Sequence, residues 1–247
     1  MFTENPQGRG DFIILCDHAS NKMPPEYDGL GLSEEDLASH IAWDPGALPV
    51  SRMLSEQLDA PLVWADVSRL VIDCNRDPEA EDLIVTASED RPVPGNRDLP
   101  PEERQARLAH IHAPYHGAIE SLIEQRLAAG LGCALVAVHS FTPVYRGQAR
   151  PWQIGILFDS YRVLADRLID ALRKDVALTV GVNEPYSPAD RVYYTLSRHG
   201  EQRGLPAVMI EIRNDEIAED AGQKKWAERL SVIFQDAAGA GDLGRQA

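Results

Sequence analysis

The chain has 247 residues, 44% of them hydrophobic and 26% charged, a balance that suits a globular protein able to bury a real core. Its 24 Lys and Arg against 39 Asp and Glu leave a formal charge of −15, which argues against an extended nucleic-acid surface because phosphate neutralisation needs clustered cations. No run approaches a membrane span, no C-x-x-C pair accompanies Cys16, Cys74 and Cys133, and Met1 to Pro6 lacks the basic and apolar regions of a signal peptide. The expected setting is a reducing cytoplasm, with neither nucleic acid nor membrane as partner. Nothing in the pattern sets an oligomeric state.

Strand-like runs fall at 12–16, 61–65, 69–73, 133–138, 153–158, 177–182 and 206–212, mostly short and rich in Val, Ile or Leu, as expected of strands covered on both faces. Helix-like stretches alternate with them: Gly46 to Leu58, Pro101 to Ala129, Tyr161 to Lys174 and Gln223 to Asp236. The alternation predicts an α/β sheet flanked by helices. Glu79 to Pro100, rich in acid, Pro and Gly, reads as a long surface loop, a kind that is uncommon unless functional. With no repeat or linker to divide it, the chain reads as one domain over 1–247, with 237–247 a small polar tail expected to be disordered.

The chemistry sits where strand-like runs end, which is where open α/β sheets place ligands and catalytic groups. The first run leads into Asp17-His18, with Asn21 three residues on. An H-x-x-E spacing would supply a pair of zinc ligands, but an amide is a poor one, so a site here needs an anionic oxygen from elsewhere. Asp44, in HIAWDPGA, is the first choice and Asp17 the alternative. Taken alone, His18 reads as a core histidine and Asp44 as a helix cap before Pro45. His139, directly after six apolar residues in CALVAVHSF, is badly placed for burial without a partner, and the conjunction favours a shared metal ion.

Four other segments supply candidate groups. SRLVIDCNRDP carries Arg69, Asp73, Asn75 and Arg76, where Arg suits bidentate recognition of a carboxylate and Asn adds an orienting hydrogen bond. The plain alternative there is an Asp73–Arg76 pair that holds a turn. In MIEIRND, alternation buries Ile210 with Ile212 and turns Glu211 to the opposite face, where it can act as a general base. A strand carboxylate paired with Arg213 is the competing account. His112 and His116 have i, i+4 spacing, but Pro114 is expected to interrupt that helix, so packing or pocket lining is favoured and His116 is placed to approach substrate. Thr195, Arg198 and His199 in TLSRHG, and Arg146 beyond His139, can close a basic pocket over an acidic ligand. Ser140 lacks a G-x-S-x-G elbow and is a remote nucleophile.

In order along the chain, CDHASN, HIAWDPGA, SRLVIDCNR, PYHGAI, VAVHSF, TLSRHG and MIEIRND resemble the N-formylglutamate amidohydrolase family. More remotely, D-x-N-R, H-S and E-I-R are similar to elements of zinc carboxypeptidases that supply substrate-binding Asn and Arg, a metal-ligating His and the catalytic Glu. The resemblance implies a phosphorylase/hydrolase-like three-layer α/β/α sandwich with a mixed central sheet. It also implies a hydrolase, with Zn²⁺ the expected divalent metal, acting on the amide of an N-acylated acidic amino acid such as N-formylglutamate. His18 and His139 carry over as metal ligands and Glu211 as base; Arg69, close enough to share the pocket, is a candidate catalytic group. Asn21 stands where carboxypeptidases have Glu, so the third ligand lies among Asp44, Asp17 and Asn21. A binding protein for a small carboxylate metabolite is the alternative of another class.

Overall fold

The computed structural model describes residues 1–241 and 243. Its strands are β1 (Phe2–Glu4), β2 (Phe12–Cys16), β3 (Leu62–Trp64), β4 (Ala87–Ser88), β5 (Arg91–Pro92), β6 (Ala134–Phe141), β7 (Val144–Tyr145), β8 (Gln148–Ala149), β9 (Ile154–Leu157), β10 (Val180–Val182) and β11 (Ala207–Arg213). The helices are α1 (Glu34–Ala38), α2 (Ala47–Gln57), α3 (Pro101–Arg107), α4 (Ala113–Ala128), α5 (Arg162–Leu172), α6 (Tyr194–His199) and α7 (Asp220–Gly239). A seven-stranded sheet runs β1-β3-β2-β6-β11-β9-β10, with two-stranded hairpins β4–β5 and β7–β8 outside it. The contiguous strands β3, β2, β6 and β11 are parallel, β1 runs against β3, and β9 against β11. The sheet is mixed, and its central strands are buried along their length.

Strand alternation sorts the core into two layers. Phe12, Ile14, Val136, Val138, Val208, Ile210 and Ile212 pack with α2, α5 and α7 through Leu54, Leu168, Trp226 and Phe234. Ile13, Leu15, Leu135, Ala137 and Met209 pack on the other face with Tyr115, Ile119 and Ile123 of α4 and Leu196 of α6. This is the expected α/β/α sandwich. No helix among the described residues is long and apolar enough to cross a membrane.

Four local readings differ from expectation. The run 69–73 is not a strand: Ser68 N donates to Lys22 O, Arg69 N to Ala42 O and Val71 N to Ser68 O, a string of turns. Leu70, Val71 and Ile72 are apolar because they fill a third core with Leu30, Ile41, Leu83 and Val93, and a short apolar run does not reveal which core it serves. The stretch 79–100 is therefore no simple surface loop. It contains the β4–β5 hairpin, buries Leu83 and Val93, and is pinned by Asn96, whose Nδ2 donates to Leu70 O and Val85 O at 2.8 Å each. Pro114 does not break its helix either. A π-turn at Leu108–His112, with Ala113 N bonded to Leu108 O, makes room for the proline ring and keeps α3 and α4 continuous. Within the predicted tail, α7 continues to Gly239 with Ala237 buried, while 242 and 244–247 lie outside the described residues.

Candidate active site

The adjacent parallel strands β2, β6 and β11 bring their carboxyl ends together, and the register sets Glu211 of β11 directly beside His139 of β6. His18 lies two residues past β2, and its carbonyl accepts from Asp44 N at 2.9 Å, which ties the segment before α2 to the same sheet end. That segment turns through Gly46 at φ 83°, where a Cβ would meet Ile217 O at 2.4 Å, so only glycine fits. Gly46, not Asp44, stands at the helix cap position, which leaves the Asp44 carboxylate for the site.

One donor atom each from His18, Asp44 and His139 lies within 4.8 Å of the others. Asp44 Oδ2 is 2.8 Å from His139 Nδ1 and 3.4 Å from His18 Nδ1. Both outer nitrogens meet carboxylates: His18 Nε2 donates to Asp73 Oδ1 at 2.7 Å and His139 Nε2 to Asp17 Oδ2 at 3.0 Å. Metal-ligating histidines commonly donate their far nitrogen to a carboxylate, and both imidazoles here have that arrangement. Arg69 Nη1 is 3.0 Å from His18 Nδ1 and 3.3 Å from Asp44 Oδ1, and its other nitrogens are anchored on the carbonyls of Ile41 and His40.

Electrostatics support a cation here. Burial alone lowers the basicity of His139 and His18, but Asp17 and Asp44 raise the first well above the ordinary imidazole range, and Asp73 and Asp44 raise the second. Burial resists ionisation of Asp17, Asp44 and Asp73, yet the neighbouring imidazoles, and Arg69 for the last two, hold all three below the usual carboxylate range. The cluster therefore calls for positive charge on the Nδ1 side, and a divalent ion supplies as much as two imidazolium protons. Two neutral imidazoles and one carboxylate oxygen are a donor set that zinc accepts. Glu211 behaves oppositely: burial pushes its carboxyl up to about 7, with His139 opposing and Asp44 adding to the rise. Its Oε2 is buried with no hydrogen-bond partner among the described residues.

An open cleft of about 230 Å³ lies over this floor, walled by Arg76, Tyr145, Tyr186 and the His40–Glu89 pair. The sequence pattern described as N-formylglutamate amidohydrolase matches residues 10–218. The chain belongs to that family. It is 29% identical over 165 residues to an N-formylglutamate deformylase of Pseudomonas aeruginosa, and the matched stretch spans 60% of each protein. A gene product of Agrobacterium tumefaciens of known crystal structure is 44% identical and superposes with a TM-score of 0.94, covering 97% of this chain and 94% of that one. The N-formylglutamate amidohydrolase of Ralstonia eutropha shares the fold at 18% identity, with a TM-score of 0.72 over 96% of both chains.

Within this family member the sequence-selected residues fall into two groups. His18, Asp44, Arg69, Asn75, Arg76, His139 and Glu211 all line the cleft. Asn75 reaches it with its amide already used, since Nδ2 donates to Val192 O at 2.6 Å and Oδ1 accepts from Thr195 N at 3.0 Å. Arg76 is held by Asp82 and by the carbonyls of Asn75 and Arg191. Arg213 pairs with Asp215 and Glu216 and leaves Glu211 alone.

Others stand apart. Asn21 donates to Leu37 O at 2.9 Å, away from the histidines, and Asp17 faces the far nitrogen of His139, so neither joins the cluster that Asp44 completes. Arg146 stacks on Tyr145, Arg198 donates to Tyr194 Oη, and neither lines the cleft. His116 is fully buried against His199 and Cys74 O. Ser140 does line the cleft, but its Oγ donates to Pro45 O at 3.0 Å and its backbone N to Asp44 Oδ2 at 3.3 Å. Sequence reasoning missed Tyr186 in the wall, its hydroxyl held by Arg150 at 3.0 Å, and gave His40 no role; neither has a local motif.

Proposed function

We propose that the chain is a metal-dependent amidohydrolase that removes the acyl group, formyl foremost, from an N-acylated acidic amino acid of the N-formylglutamate type. The observation that carries this is the register of Glu211 against His139: a buried carboxyl near pH 7 with an unpartnered oxygen, beside two imidazoles that share Asp44. Family membership and the deformylase relative support the substrate class.

A divalent ion, zinc by the donor set, would be held by His18, Asp44 and His139, and supplies Lewis acidity that eases deprotonation of water from a pKa of ~15.7 towards ~7. Glu211 then accepts a proton from the attacking water and later delivers it to the departing amine. Water adds to the acyl carbon, the amide C–N bond breaks, and formate and the free amino acid leave. Arg69 stands beside the site with Nε and Nη2 fixed by two backbone carbonyls, and its Nη1, which lies on His18 Nδ1 and Asp44, would turn to the oxyanion once the His18 lone pair is taken by the ion. Arg76 binds a substrate carboxylate, while Asn75, its amide committed, shapes the wall. Against a binding role alone stands Asp44, a carboxylate within reach of both imidazoles, whereas Asn21 offers only an amide that is bonded to Leu37 O.

Elemental analysis of the purified protein, followed by a panel of N-formyl and N-acetyl amino acids, tests the reading. One divalent ion per chain and preference for N-formyl acidic amino acids are expected. Ligand-induced stabilisation without hydrolysis, with zinc, manganese or cobalt supplied, overturns it.

A further inference from the structure

Asp17 follows β2 and adjoins His18 in sequence, yet its carboxylate serves the other histidine. Its second oxygen, Oδ1, accepts a 2.6 Å hydrogen bond from Thr195 Oγ1 on α6. Thr195 is fully buried, and among the described residues the only other acceptor its hydroxyl meets is Cys74 O at 3.3 Å. A hydroxyl has one proton to give, and the shorter bond to a charged acceptor takes it. The Thr195 backbone N–H donates to Asn75 Oδ1 at 3.0 Å, Asn75 N donates to Asp73 Oδ1 at 2.8 Å, and that same oxygen accepts from His18 Nε2. One hydrogen-bonded chain, His139–Asp17–Thr195–Asn75–Asp73–His18, therefore joins the outer nitrogens of both imidazoles.

We propose that Thr195 is a positioning residue of the candidate metal centre: through Asp17 it fixes His139 with Nε2 protonated and Nδ1 directed at the ion, and through Asn75 it couples that orientation to His18. The inference rests on the reading that His18, Asp44 and His139 hold the metal. Asp17 is buried, so an oxygen stripped of its donor there has no solvent to turn to, and the carboxylate is free to rotate away from His139. The brace also explains why Asn75 spends its amide on Thr195 of α6 and on Val192 rather than on a ligand.

Competition against a chromophoric chelator for Zn²⁺ tests it on the folded protein. Thr195→Val, close in shape but without the donor, is expected to bind zinc up to about 10-fold more weakly, the lower end of the loss that follows removal of a ligating histidine's own partner. Thr195→Ser, which keeps the hydroxyl, is expected to bind as the parent chain does. Equal zinc affinity in the parent and the valine variant overturns the role of Thr195 while leaving the metal reading intact. A parent chain that takes up no zinc overturns the metal reading itself. Nitrogen-15 imidazole spectra of the zinc-loaded parent give a test that needs no variant: Nδ1 ligation with Nε2–H is expected for His18 and His139, and Nε2 ligation by His139 overturns the proposal.

Discussion

His18 and His139, at the carboxyl ends of β2 and β6, are held above the usual imidazole range, whereas His116 and His199, no more exposed, are driven down to about 3 and about 4. The partners make the difference. The first pair faces Asp17, Asp44 and Asp73. The second pair stacks ring on ring at 5.1 Å in the α4–α6 layer; burial acts first on both, followed by the neighbouring imidazoles of His112 and His199 for His116 and by Arg198 and Arg203 for His199. His116 Nε2 donates to Cys74 O, so its Nδ1 accepts from His199 Nε2, and a proton added there would meet an N–H. Two buried histidine clusters in one chain thus carry opposite charge tendencies, and carboxylate partners mark the one able to attract a cation.

The largest effect is expected from Asp44→Asn, which removes the proposed anionic ligand, the carboxylate that both imidazoles share. Zinc content should fall below one ion per chain and hydrolysis should be lost; retained stoichiometric zinc would move the third ligand elsewhere. Glu211→Gln should keep the zinc and cut kcat by ~10²–10⁴-fold, the scale of a lost general base. Near-parental turnover in that variant would remove Glu211 from the chemistry.

The second cluster gives a pH signature. The folded-state values of His116 and His199 lie below the ordinary 6.5, so the unfolded chain binds more protons in that window. Stability from these residues is fully present above pH 6.5 and is lost as pH falls towards 4 and then 3, at up to about 1.4 kcal/mol per pH unit for each histidine. Urea denaturation at pH 7 and pH 5 should show the loss, and His116→Gln should flatten it; an unchanged slope would mean that some other group sets the acid limit. Smallest of all, Arg146→Ala and Arg198→Ala should leave kcat/KM unaltered, because neither lines the cleft. A marked rise in KM for either would extend the substrate site beyond its described wall.

How much of this was legible follows the range of each interaction. Strand ends were readable because a short apolar run broken by a polar residue is a local pattern, and His18, His139 and Glu211 each follow or close such a run. Alternation placed Glu211 opposite Ile210 and Ile212, as their core layers show. The run 69–73 misled because its side chains are as apolar as a strand's, although they serve a core built from loops. Asn75 and Arg76 were readable as residues that reach the cleft, but the commitment of the Asn75 amide to residues 117 and 120 positions away was not.

The sequence by itself determined an α/β sheet flanked by helices, the strand ends where polar groups gather and the residue types found there, since all are encoded in hydrophobic period and local order. Only the tertiary structure decided that Asp44 completes the cluster, that Asp17 braces His139 from 122 positions away and that Asp73 braces His18 from 55. Such pairings depend on which strands become neighbours and in what register, and a hydrogen bond of about 3 Å leaves no trace in residues so far apart along the chain.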